Sequence, residues 1–393
     1  MSLTPDSAMS LAREFLADWN PSSPRLDALR ARFDAGLAWV SRPTGLGGLG
    51  LSPADQRPID DLFTRAGFPD NSPQRNGIGL GMAAPTILAV GTQQQKERYL
   101  RPLWTGEEIW CQLFSEPGAG SDLANVATRA VRAEGGWIVN GQKVWTSSAH
   151  NAVWALLLTR TDPDVPKHKG LTYFVCDMRA PGVEVRPLRQ LTGEAEFNEV
   201  FLTDVFVPDE NLLGEVNGGW LVAMTTLSSE RVAIGNSDAE VGDTMLDVVE
   251  RTWRDAPEHL RELNRDRFLR LWVDSHIAEL SASRMKQELA AGRPGPEGSA
   301  MKVTFARLAQ ELSGLEIELL GADGLTYGQW EMVRPEIVEF TGRDAAYRYL
   351  RAKGNSIEGG TTEILLNILA EQVLGLPQEQ RVDKAVAWKD SPR

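Results

Sequence analysis

Cys111-Gln-Leu-Phe-Ser-Glu-Pro-Gly-Ala-Gly-Ser-Asp122 is the densest local signal in the chain, and Gln142-Lys-Val-Trp-Thr-Ser-Ser148 follows about twenty residues later. In the first stretch Pro117, Gly118 and Gly120 force an irregular turn with exposed backbone N–H groups, and Ser115 and Ser121 add hydroxyls. Such donors suit a planar ring system with carbonyls and ring nitrogens. By itself a Gly-rich turn is more often only a turn. In the second stretch an aromatic residue precedes three hydroxyl residues, a pattern that suits stacking on and hydrogen bonding to a planar cofactor. By itself it reads as a buried tryptophan with solvated hydroxyls.

Outward from these stretches, short apolar or alternating runs recur at 154–159, 171–176, 183–189 and 199–207. Asn140-Gly141, between Gly-Trp-Ile-Val and Gln-Lys-Val-Trp, signals a hairpin. Closely spaced turns make a small β-barrel or sandwich the natural solution for residues 109–215. Residues 1–108 read as helical: Leu26, Leu29, Phe33 and Leu37 recur at helical spacing, and 92–104 reads as an amphipathic helix ended by Pro102. Residues 43–53 read as a Gly/Pro loop between helices. After Gly218-Gly219 helices are expected at about 219–252, 258–291, 297–320, 335–353 and 361–374, the last stopped by Gly375 and Pro377. Long helices with short connections favour an antiparallel bundle for residues 216–393. The expected class is multidomain α+β: an N-terminal helical domain, a middle β-barrel or sandwich, and a C-terminal four-helix bundle.

Composition excludes several functions. The chain has 393 residues, too many for one comfortable core. No apolar run approaches the ~20 residues of a membrane span. The start lacks a signal-peptide pattern and Lys-Asp-Ser-Pro-Arg carries no peroxisomal address, so a cytoplasmic protein is expected. Cys111 and Cys176 lie far apart and read as reduced core thiols; four histidines without metal-ligand spacing give no metal site. A net charge of −13 without a basic block speaks against nucleic acid.

The combination Ser-Glu-Pro-Gly-Ala-Gly-Ser-Asp (115–122), Asn-Gly-Gln-Lys-Val-Trp-Thr-Ser-Ser (140–148), Ser-Ser-Glu-Arg (228–231) and Ile-Glu-Gly-Gly-Thr-Thr-Glu-Ile (357–364) resembles the acyl-CoA dehydrogenase family, over most of the chain up to residue 376. The resemblance implies FAD, an acyl-CoA substrate, dehydrogenation of the Cα–Cβ bond, and usually a homotetramer. It implies that the Ser115 hydroxyl bonds the flavin pyrimidine end, that Ser121 contacts CoA, that Trp145 packs beside the isoalloxazine, and that Ser147, usually threonine, lies near flavin N5. Thr361, Thr362 and Glu363 match the start of a helix approaching the FAD adenosine part. Gln112, Leu113, Phe114, Gly120, Thr146, Glu318 and Gly321 complete the implied cofactor set.

The reaction needs a carboxylate base and fixed donors on the thioester oxygen. Most relatives place the glutamate just before the last helix. Anchored on Thr361, that position here is Gly359, and Glu358 stands one place early. A minority of the family keeps the base on the helix that opens the bundle, before an arginine. Glu230 and Arg231 match that arrangement, with Arg231 orienting the base. Ser228, Gly359 and Gly360 complete the implied substrate set, the Gly359 N–H polarising the carbonyl.

Two departures bear on assembly. The family's Arg-x-x-Phe-Gly run is missing at Trp253–Pro257, and the usual Gly-Gly-Asn-Gly turn reads Gly321-Ala-Asp-Gly324. The segment 290–302 resembles members from actinobacterial lipid and sterol catabolism, some of which pair two different chains. A heterotetramer with a homologous chain is therefore an alternative to the homotetramer, with this chain as an FAD-pocket partner; a flavin oxidase or monooxygenase on the same fold is another. An electron-transfer flavoprotein is the expected acceptor.

Overall fold

The structure is a computed structural model that describes residues 4–72, 74–235, 244–290, 297–337, 340–380 and 383–391; the side chains at 230–235, 286, 289, 290 and 297 lie outside the described residues. The chain divides into two units. One comprises residues 1–186, 198–226 and 383–393, the other 187–197 and 227–382. Among the described residues no helix is long and apolar enough to cross a membrane, and no cluster of His, Cys, Asp and Glu could hold a metal.

The first unit opens with α1 (Pro5–Asp18), α2 (Arg25–Asp34), α3 (Gln56–Arg65), α4 (Ala84–Val90) and α5 (Gln93–Thr105). The Thr4 and Thr92 side chains cap α1 and α5 by accepting from the N–H three residues on. Leu29, Phe33, Ile59, Phe63, Leu100 and Leu103 are buried between these helices. Pro102 does not end α5. It lies inside the last turns, and the helix stops at Gly106, whose φ of +75° is the left-handed conformation glycine adopts without strain.

The strands are β1 (Trp110–Leu113), β2 (Arg129–Ala133), β3 (Gly136–Ser147), β4 (Trp154–Arg160), β5 (Leu171–Asp177), β6 (Val183–Pro187) and β7 (Phe197–Pro208). They form one seven-stranded sheet in the order β1-β4-β2-β3-β7-β6, with β5 on β4. Parallel β1–β4 pairs Trp110 with Trp154 and Leu113 with Leu157. Leu113, Val139, Leu157, Phe174, Val200 and Val205 fill its core.

Asn140-Gly141 is not a hairpin turn. β3 runs straight through it, Asn140 pairs with Arg129, and the chain reverses instead at Glu134-Gly135, where Gly135 has φ +70°. The dipeptide has other work: a Cβ on Gly141 would lie 2.3 Å from Thr128 Oγ1, and the Asn140 side chain exchanges hydrogen bonds with Asp204 across the sheet. Close strand approach, rather than turn geometry, explains the glycine.

α6 (Gly219–Gly235) leads into α7 (Met245–Asp255), α8 (Glu258–Ala290), α9 (Glu297–Leu320), α10 (Ala345–Ala352) and α11 (Thr362–Ile368). Val249, Leu271, Leu308, Leu312, Leu315 and Leu319 build a core among α7, α8 and α9. The long helix expected over 219–252 does not run through Thr244, which is extended and caps α7 in a capping box with Asp247; residues 236–243 of that expected helix lie outside the described residues. The helix expected over 335–353 shrinks to α10. Upstream the described residues form bends and a turn, with Ala195 donating to the Val333 carbonyl, and Asp344 caps the helix that follows. On α10, Arg348 donates to Glu316 of α9, both buried.

Candidate functional site

The candidate residues fall in both units, and each set has its own geometry. In the first unit β1 ends at Leu113 and runs into Phe114 and Ser115, while β3 ends at Trp145–Ser147. The Val144 N–H donates to the Ser115 carbonyl at 2.9 Å, bringing the two motifs side by side. Leu113 and Phe114 are buried; Gln112 and Ser115 are partly exposed.

A buried lysine fixes this junction. Lys143 Nζ donates to the Phe114 carbonyl (2.9 Å), the Leu158 carbonyl (2.8 Å) and Glu116 Oε1 (2.8 Å). Glu116 in turn accepts from the Ala127 and Thr128 N–H groups. Burial pushes the Glu116 carboxyl up, but Lys143 and those donors outweigh it and hold it below its ordinary value. Burial pulls the Lys143 ammonium below its ordinary value, against the opposing charge of Glu116. Sequence reading missed this pair; the lysine and the glutamate lie 27 residues apart on separate segments, and no spacing links them.

Next to it Trp145 has φ +59° and is 58% exposed, although its strand neighbours Val144 and Thr146 are buried. A bulky residue at positive φ is strained by on the order of 1–3 kcal/mol, and such strain gathers at functional sites. The turned backbone sets the indole outside the sheet. The Thr146 hydroxyl is buried and has no hydrogen-bond partner among the described residues, and Ser147 is partly exposed. Asn198 Nδ2 donates to the Thr146 carbonyl at 3.1 Å, anchoring the strand end. An offered aromatic face, an unsatisfied buried hydroxyl and the serine edges fit a flat heteroaromatic ring with hydrogen-bonding groups on its rim.

The Gly-rich turn is tighter than its sequence suggests. Glu116 and Ala119 exchange both backbone hydrogen bonds around Pro117-Gly118. Gly120 and Ser121, which follow it, are exposed.

In the second unit Ser228 is exposed on α6, and positions 230 and 231 lie on the same helix, with the Glu230 and Arg231 side chains outside the described residues. Glu358 is bound by Arg351 at 2.9 and 3.0 Å. Arg351 also holds Glu196 at 3.0 Å. Burial alone would lower the guanidinium, but Glu358 and Glu196 raise it above its ordinary value. Gly359 and Gly360 follow with φ of +63° and +95°. Lys302 Nζ donates to the Gly360 carbonyl at 2.6 Å. The Thr361 hydroxyl caps α11 by accepting from the Ile364 N–H; Thr362 is partly exposed and Glu363 exposed. Glu318 pairs with Arg267 at 2.6 Å on the exposed side of α9, and Gly321, φ +59°, ends that helix.

Three family models match: "Acyl-CoA dehydrogenase, N-terminal domain" over 9–107, "middle domain" over 111–205 and "C-terminal domain" over 217–374. The chain belongs to the acyl-CoA dehydrogenase family. Members of this family are FAD flavoproteins, and FAD is the cofactor that the first-unit residues fit. Acyl-CoA dehydrogenase FadE34 of Mycobacterium tuberculosis is 44% identical over 343 residues, 84% of this chain; the chain spans only 44% of that relative's length. Acyl-CoA dehydrogenase IpdE1 of the same organism is 36% identical over 353 residues, 88% of this chain and 86% of the relative. Among solved structures, the steroid ACAD Tcur3481-Tcur3483 is similar with a TM-score of 0.71 and 25% identity, covering 96% of this chain and 100% of that one. The ChsE4-ChsE5 complex from Mycobacterium tuberculosis is similar with a TM-score of 0.67 and 25% identity, over the same shares.

Proposed function

We propose that this chain dehydrogenates an acyl-CoA thioester to the 2-enoyl-CoA, with Glu230 as the base, and that its acyl group is bulky, of the sterol-derived kind. The single observation that carries the assignment of the base is the Glu358–Arg351 pair. Both Glu358 oxygens are taken up by the Arg351 guanidinium, and Gly359 offers no side chain at all. Glu230, on the helix that opens the bundle, is the remaining match to a family base position.

The bound flavin supplies a hydride acceptor. Ser115, Thr146, Ser147 and Trp145 would hold its ring, and Ser121 the CoA moiety. The Gly359 N–H would polarise the thioester carbonyl, which acidifies the α-proton for Glu230, oriented by Arg231. The likeness to a steroid ACAD over nearly the whole chain supports the acyl class. Both similar structures are pairs of differently named chains, which supports a heterotetramer with a homologous chain over a homotetramer. An electron-transfer flavoprotein is the acceptor on this reading, and the buried free thiols Cys111 and Cys176 accord with a cytoplasmic setting.

Glu230→Gln tests the base. Anaerobic mixing with acyl-CoA thioesters carrying short, branched and steroid side chains reads flavin bleaching. Expected are retained flavin and substrate binding, with the bleaching rate down by about 10²–10⁴. Full activity in Glu230→Gln, with loss in Glu358→Gln, would overturn the assignment. Native mass, alone and with a co-expressed homologue, tests the assembly.

A further inference from the structure

The segment Asp383–Ser391 lies beyond the matched C-terminal family model, which ends at residue 374, yet it belongs to the first unit. It is bound there along its length. Pro166 and Ala387 form an antiparallel bridge; the Trp388 N–H donates to the Val165 carbonyl at 2.9 Å and the Lys389 N–H to the Pro163 carbonyl at 3.1 Å. Lys389 pairs with Asp164 at 2.6 Å. Trp388 is buried, and its indole N–H donates to Asn125 Oδ1 at 2.8 Å.

Two side chains carry this contact to the turn that follows the Gly-rich motif. Arg160, at the end of β4, is buried and donates to the carbonyls of Ala124 (2.5 Å), Val126 (3.3 Å) and Lys167 (2.6 Å). These partners are neutral, and the Trp388 ring covers the guanidinium at 4.7 Å. Lys167 bridges Asp383 of the segment (2.5 Å) and Asp122 of the turn (2.8 Å). The turn Asp122–Asn125 is therefore gripped at its first residue by Lys167, at its last by Trp388, and between them by Arg160. Ser121, which is exposed, immediately precedes it.

We propose that Trp388 and Lys167 are positioning residues: the segment Asp383–Ser391 is a strap that fixes the 122–125 turn and so sets where Ser121 meets the CoA moiety. This rests on the reading of Ser121 given above. A strap from outside the family-matched region tunes the affinity for the thioester without touching the reacting atoms.

The test uses full-length protein with its flavin bound and two readouts: hydrogen exchange of peptides spanning 118–127, and KM against kcat for an accepted acyl-CoA. In Trp388→Ala, exchange of 118–127 is expected to rise about tenfold while the β5 peptide is unchanged. KM is expected to rise about tenfold with kcat within about twofold, because positioning of a remote group is lost rather than chemistry. Trp388→Phe keeps a ring over Arg160 and is expected to fall between. Should Trp388→Ala fail to fold, Asp383→Asn, which removes the charge that Lys167 pairs with, is expected to show the same exchange and KM shifts at about two- to threefold. Unchanged exchange of 118–127 in a folded variant overturns the strap, whatever the enzyme's activity. Faster exchange with unchanged KM overturns the positioning role through Ser121 and leaves the strap as packing.

Discussion

Lys143→Met removes one ammonium and leaves its surroundings intact, so its cost can be worked from the structure. The Lys143 side chain is fully buried and that of Glu116 is 7% exposed. Removing the cation strands the Glu116 carboxylate in the sheet and leaves the Phe114 and Leu158 carbonyls each without this donor. Breaking a buried pair from one side costs about 3–5 kcal/mol, because a buried charge is left uncompensated. The two carbonyls lie in the same desolvated pocket and keep the cost at the upper end. In a unit of this size that corresponds to a fall in Tm on the order of 10 °C. Urea unfolding followed by tryptophan fluorescence reads the free energy, with the double variant Lys143→Met/Glu116→Leu alongside. The double variant should recover about 2 kcal/mol relative to the sum of the single changes, since it removes the stranded charge. A loss below about 1 kcal/mol in Lys143→Met, or additive single changes, would refute the claim that this pair anchors the Ser115–Val144 junction.

Trp145→Ala keeps a Cβ and with it the positive-φ backbone, but loses the exposed ring; the expected outcome is apoprotein stability within about 1 kcal/mol of the parent and flavin affinity down by about tenfold or more, read by fluorescence titration. Glu358→Gln should leave turnover within about threefold while lowering stability by about 1–3 kcal/mol, since it weakens a pairing with Arg351 rather than a base; kcat and thermal melting together read this. The Glu116 carboxyl titrates below its ordinary 4.5 in the folded protein, so it contributes stability that is present above the unfolded value and lost as pH falls through the folded one. Stability of the parent should therefore fall below about pH 4.5 more steeply than that of Glu116→Gln, measured by urea unfolding at a series of pH values.

Two helices of the bundle were fully legible. α8 and α9 run within one residue of the expected bounds, because a long apolar period with breakers at both ends leaves little choice. What sequence misjudged was local chemistry overruled by packing. Asn140-Gly141 carries turn residues, but a strand that must pass Thr128 closely needs glycine for space rather than for φ. Pro102 sits late enough in α5 that only one helical hydrogen bond is lost, and the amphipathic face is buried on both sides of it. The helix expected over 335–353 begins only at Ala345, where Asp344 caps it; just upstream of the expected range Val333 is tied to the 194–195 segment, a partner some 140 residues away that no local pattern announces. At the site, the motif residues were legible as types, but the ties that hold them, Lys143 to Phe114 and Arg351 to Glu358, cross between separate elements and have no sequence spacing to betray them.

The loop before α11 shows how motif and geometry constrain each other. Matching by residue type alone would assign the catalytic role to Glu358, the carboxylate nearest the family position. Geometry takes it away: Arg351 occupies both of its oxygens, and the next two residues pass through positive φ before the cap at Thr361. A glutamate at 359 itself would have to accept φ +63°, a conformation that costs a side chain with a Cβ roughly 1 kcal/mol. Two adjacent left-handed glycines therefore make the loop a poor place to carry any base, while Lys302 on the Gly360 carbonyl makes it a well-fixed place to present a backbone N–H. A loop built to donate and a helix left to supply the carboxylate is a consistent division of labour, and it is why the loss of catalysis is expected at 230 and not at 358.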